Sequence, residues 1–197
     1  MRKTLIIMSL ILAALQLLLA TSCGSKTTDD VQGDEAVTGN SKTAIADVAA
    51  DVLLDTAVSA YSADEIPNVK YYRSSISDSE ADGHLDVDQA GQLLKGEYGV
   101  DFPEFNTLEE FAMIVPSGKN AFEIDILKVK DENDVEAAMQ ILKDRLSLKD
   151  NGEIETYVPE EKPIIDGAEF YQKGRYVALI CTADNSKAKA ALDSLLG

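Results

Sequence analysis

The sharpest chemical pattern in the chain is the run Asp78-Ser79-Glu80-Ala81-Asp82-Gly83-His84-Leu85-Asp86-Val87-Asp88-Gln89. Read as a calcium loop, it places Asp78, Glu80, Asp82 and Asp86 at the first, third, fifth and ninth positions. Gly83 falls where such a loop turns sharply, and Leu85 where an apolar side chain packs inward. Calcium is a hard cation that takes about 6–8 oxygen ligands, which alternating acids can supply. The last position departs from the pattern, because Gln89 offers one neutral oxygen in place of a bidentate carboxylate. The residues before the loop, Tyr71 to Ser77, carry no clean apolar stripe for an entering helix. Two readings follow: a weak calcium site, or a solvated loop that caps the next helix.

Other chemistry has less support. His84 is the single histidine, so a Ser-His-Asp hydrolase would need it as the base, and no partner set surrounds it in sequence. A carboxylate pair for glycoside cleavage could be drawn from Glu123 and Asp125, but 35 acids make some pair inevitable. Glycines are scattered and form no phosphate-cradling loop; Gly174 reads as a hairpin turn. Cys181 ends the apolar run Tyr176 to Cys181 and reads as a small core residue. Tyr157, Pro159, Tyr171 and Tyr176 could gather at one end of a sheet, for ligand contact or for packing. No catalytic residue is assigned.

The remaining reactive side chain is Cys23. Arg2 and Lys3 give a positive start, Leu5 to Ala20 is almost wholly apolar, and Thr21 and Ser22 precede the cysteine. That is the layout of a secretory signal over residues 1–22. As a helix the apolar run would span about 24 Å, short of a ~30 Å hydrocarbon core. Leu19-Ala20-Thr21-Ser22-Cys23 resembles a bacterial lipobox. In that resemblance Cys23 receives a diacylglyceryl group and later an acyl chain such as palmitate. Cleavage just before Cys23 makes it the first residue. Residues 23–40 are rich in Gly, Ser, Thr, Asp and Glu and read as a flexible tether with a reach of about 20–25 Å.

Charge limits the partners. The chain carries a net charge of -17, and loss of Arg2 and Lys3 with the signal leaves about -19. Such a polyanion repels phosphate backbones and anionic lipid, so nucleic acid is excluded as a partner and attachment to a membrane requires a covalent lipid. Apolar residues make up 45%, enough for a core in one domain over residues 41–197.

The elements that must position these groups follow from periodicity. Ser41 to Tyr61 predicts a helix with Ser41 as its cap and Ile45, Val48, Ala49 and Val52 inward. Ser62 to Asp86 reads as an irregular polar segment. Leu85 to Tyr98 predicts a second helix, with Leu93 and Leu94 inward and Gly99 at its end. Phe111 to Val115 and Ala121 to Lys130 predict a hairpin, with Glu123 and Asp125 on a wet face opposite Phe122, Ile124 and Ile126. Glu123 and Lys128 have opposite parity and could share a face only across a bulge. A helix from Asp131 or Asn133 to Leu148 turns Val135, Ala138, Met139, Leu142 and Leu146 inward. Gly167 to Gln172, a Lys173-Gly174 turn and Arg175 to Thr182 form a second hairpin. A last helix from Asn185 or Ser186 turns Ala188, Ala191, Leu192 and Leu195 inward. The ββαββα order predicts a two-layer α+β domain: a four-stranded antiparallel sheet, helices on one face, and N-terminal helices added.

The run Glu123 to Lys130, the charged helix to Arg145, Tyr157-Val158-Pro159 and Lys173 to Val177, with Tyr98-Gly99-Val100-Asp101 upstream, resemble a bacterial lipoprotein family catalogued as domain of unknown function 4358. The resemblance implies a lipid anchor and a compact domain, and carries over no catalytic residue. The expectation is a binding lipoprotein on the outer face of the bacterial membrane, without a cofactor apart from weak calcium. Its partner would be an envelope protein or a small ligand.

Overall fold

In the computed structural model, residues 45–97, 102–150 and 152–197 are described. The signal, the whole tether with Cys23, and Ser41 lie outside them. Along the chain come α1 (Ala50–Ser59), β1 (Val69–Arg73), α2 (Val87–Lys95), β2 (Leu108–Pro116), β3 (Glu123–Val129), α3 (Val135–Lys149), α4 (Glu153–Tyr157), α5 (Lys162–Asp166), β4 (Glu169–Lys173), β5 (Tyr176–Cys181) and α6 (Asn185–Leu196). The fold is α+β around one antiparallel sheet in the order β1-β2-β3-β5-β4.

The sheet has five strands, not four. The extra one, β1, lies in the segment expected to be irregular, and it pairs Val69 to Arg73 with Pro116 to Ala112. It is a short edge strand without a clean alternation of buried and exposed residues, so it leaves little periodicity to read. The layering also differs from expectation. Strands β3 and β5 are buried at every residue, which requires cover on both faces. Helices α1 and α6 pack with Ala112, Ile114, Ile124, Ile126, Ala178 and Ile180. On the opposite face α2 and α3 pack with Phe111, Met113, Leu127, Val129, Val177 and Leu179. The result is three layers.

Helix α1 begins nine residues later than the predicted cap at Ser41 and turns a different stripe inward. Ala50, Leu53, Leu54 and Ala57 are buried, whereas Val52 is 49% exposed. Both stripes have helical spacing, and the one with two leucines buries more apolar surface, at about 1.5–3 kcal/mol per leucine. Ala49 is extended and supplies no side-chain cap. Glu110 of β2 caps the helix instead, its Oε2 accepting from the Ala50 amide at 2.7 Å.

The other elements lie closer to their expected positions. Helix α2 ends at Gly96, before Gly99, because Gly96 takes a left-handed conformation at φ 71° and its amide closes the last turn on Gln92. Helix α3 buries Val135, Ala138, Ile141 and Leu142, and α6 buries Ala188, Leu192 and Leu196. The turn between β4 and β5 is Gly174-Arg175, one residue later than expected, with Gly174 at φ 53°. Among the described residues no helix is long and apolar enough to cross a membrane.

Candidate functional site

The expected wet face of β3 is the most deeply buried polar surface described. Glu123 and Asp125 are both 0% exposed. They share a face with Leu127 and Val129, under α3, and the register of β3 with β5 runs without interruption. The only irregularity nearby lies in β2, between Leu108 and Glu110. Glu123 and Lys128 therefore point to opposite faces, and no bulge brings them together.

Helix α3 supplies the cations that permit this burial. Arg145 and Lys149 are one turn apart and so lie on one helix face. Arg145 grips Glu123 with a fork, Nε to Oε1 at 2.6 Å and Nη2 to Oε2 at 3.0 Å. Lys149 Nζ donates to Oε2 at 2.7 Å. Arg145 Nη1 donates to the Leu93 carbonyl at 3.1 Å, which ties α2 to the same centre. Burial alone would raise the Glu123 carboxyl, but Arg145 and then Lys149 reverse this and hold it well below its ordinary value. Asp125 behaves oppositely. Burial, then the adjacent Glu123 charge, push it well above the usual carboxylate range. Its oxygens are shut off from water, and the neighbour that bears on them is the Glu123 carboxylate, which a protonated Asp125 can reach as a donor. A charged carboxylate there would be costly, so burial favours the neutral form of Asp125. Across the strand from Glu123 stands Cys181, buried as expected, its thiol pushed up to about 12 by burial.

Arg145 also reaches a surface cavity of about 380 Å³, lined by Tyr72, Leu85, Gln89, Gln92, Leu93 and Arg145. The buried charges and this cavity thus share a residue. Sequence reasoning named Glu123 and Asp125 only as members of a crowd of acids, and missed Arg145 and Lys149. The available signal was an acid pair inside a largely apolar strand, followed by two cations at i, i+4 on the next helix.

A second charged group occupies the opposite face. Lys128, buried, reaches Asp47 at 2.9 Å and Glu109 at 3.1 Å, and Arg175 pairs with the same two carboxylates. The Tyr176 hydroxyl accepts from the Val48 amide at 2.8 Å. These bonds pin residues 47–50 to the sheet, which explains why the helix starts late.

The acidic loop lies against β1 and leads into α2. Gly83 makes the sharp turn, at φ 87°, and Leu85 is buried, both as expected. A Cβ on Gly83 would stand 2.9 Å from the Tyr71 carbonyl, so glycine is required for the loop to lie on β1. Asp78, Glu80, Asp82 and Asp86 are exposed. Asp78 accepts from the Glu80 amide at 3.0 Å. Asp86 and Gln89 form a reciprocal capping box at the start of α2, at 2.8 and 3.1 Å. Among the described residues no three His, Cys, Asp or Glu side chains are grouped to hold a metal ion. His84 Nδ1 lies 2.8 Å from the Ile76 carbonyl. The tyrosines do not form one cluster. Tyr157 is exposed beneath Lys119, while Tyr171 and Tyr176 pack on the α1 and α6 face.

No curated protein and no solved structure matches the chain. The family described as Domain of unknown function (DUF4358) matches residues 79–182, just over half of the chain's 197 residues. The matched stretch runs from the acidic loop to the end of β5 and includes Glu123, Asp125, Arg145, Lys149 and the whole cavity lining except Tyr72. The chain belongs to the DUF4358 family.

Proposed function

We propose that this protein is an exported lipoprotein, anchored through Cys23, whose folded domain is a non-enzymatic binding module. Its ligand site is the cavity in front of Arg145. The observation that carries the binding reading is the double role of Arg145, which is fixed by Glu123 on one side and lines a cavity on the other. A preformed cavity with a few fixed polar groups and an apolar wall suits a small ligand. The anchor rests on the lipobox-like run Leu19 to Cys23 and on the charged, apolar segment before it. Two acyl chains or more give stable attachment.

The anchor is tested by feeding an alkyne analogue of palmitate to bacteria that make the full chain. The wild type should take up label and enter the detergent phase; Cys23→Ala should do neither. Equal labelling of the two would remove the anchor.

A further inference from the structure

We infer that the Arg145 cavity receives a small carboxylate-bearing molecule, bound through the guanidinium. This deepens the binding reading above and rests on it. A guanidinium has five N–H donors in a rigid planar fork that matches a carboxylate. Glu123 and the Leu93 carbonyl take three of them, on Nε, Nη1 and Nη2. Two remain, on a group already held in place, so a ligand meets a preorganised donor.

The balance of buried charge points the same way. Arg145 and Lys149 bring two positive charges to a centre where Glu123 supplies one negative charge. Asp125 adds none while it is protonated, and its position fully out of water beside the Glu123 carboxylate favours that state. Cys181 opposite Glu123 is a neutral thiol. One positive charge is left uncompensated, and the cavity at Arg145 is where it meets the surface. In a chain of net charge -17, this is a local positive focus within a repelling field, which selects a small anion over a large one. The Asp86 carboxylate beside the cavity lining is engaged by the Gln89 amide. The walls then limit the ligand. Leu85 and Leu93 offer apolar contact, Tyr72, Gln89 and Gln92 offer polar groups, and about 380 Å³ holds a molecule of modest size.

The test is calorimetric titration of the full chain, in detergent micelles, with propionate and succinate and with their neutral amides. The carboxylates should bind in roughly the millimolar range and at least about tenfold more tightly than the amides, the scale of a charge-assisted bond. Gln92→Trp, at an exposed position of α2 that lines the cavity, fills it from the rim and should weaken carboxylate binding at least about tenfold. Arg145→Lys keeps the charge, loses the fork, and should weaken it similarly. Equal binding of acids and amides, both weakened by Gln92→Trp, would overturn the carboxylate inference and leave the binding reading standing. Carboxylate binding unchanged in Gln92→Trp would place the anion elsewhere and overturn the inference. No binding of either class would remove both.

Discussion

Glu123→Gln should be the most destabilising conservative substitution in the domain. Glu123 accepts three charge-assisted hydrogen bonds, two from Arg145 and one from Lys149. All three groups are largely or wholly buried. Glutamine keeps the shape but removes the charge, and its amide nitrogen turns a donor toward a donor. Removing one partner of a buried pair costs about 3–5 kcal/mol, because the surviving cations are left uncompensated. At about 2–4 °C per kcal/mol for a domain of this size, the melting temperature should fall by about 6–20 °C. Asp125 sets the lower end of that range. Once Glu123 is neutral, the repulsion that helps keep Asp125 protonated is gone, and Asp125 can ionise beside the two cations. The double variant Glu123→Gln with Asp125→Asn should therefore lose more than the sum of its parts. Urea unfolding of the four proteins gives all the terms. A Glu123→Gln variant within about 1 kcal/mol of the wild type would refute the reasoning, since a buried pair cannot be removed so cheaply.

Three further outcomes follow from the same geometry. Asp125 has a folded pKa raised above its ordinary 3.8, so its contribution to stability is full below that value and is lost as pH rises through the folded pKa. The urea midpoint should fall across that window in the wild type and fall less in Asp125→Asn. Glu110→Ala removes the tertiary cap on the Ala50 amide and should cost about 0.5–2 kcal/mol by urea unfolding. Asp86→Ala breaks the capping box at α2 and should cost about 1 kcal/mol, while millimolar calcium should leave the wild-type melting curve in place. A clear upward shift with calcium would show that the exposed loop carboxylates gather around the ion.

What could be read in the chain depended on whether the relevant force is local. The stripes of α3 and α6 and the β4–β5 hairpin follow from periodicity and turn residues a few positions apart, and they were legible. The face of β3 was not. Glu123 and Asp125 alternate with Phe122, Ile124 and Ile126, which is also the pattern of a half-exposed strand. Only the partners distinguish the cases, and Arg145 and Lys149 lie 22 and 26 residues from Glu123. The same alternation predicts two layers in place of three, because an alternating strand ordinarily has water on one side. Strand β1 escaped notice because its hydrogen bonds come from β2, some forty residues on. The late start of α1 has the same origin, since its cap and the anchors of Asp47 come from β2, β3 and β5.

The most direct test of the account is the intact mass of the full-length protein after purification from bacterial membranes. The account predicts a chain that starts at Cys23 and carries a diacylglyceryl group, with or without a further acyl chain on its amine. A chain that retains Met1, or one cleaved at the same place with no lipid on Cys23, would contradict it.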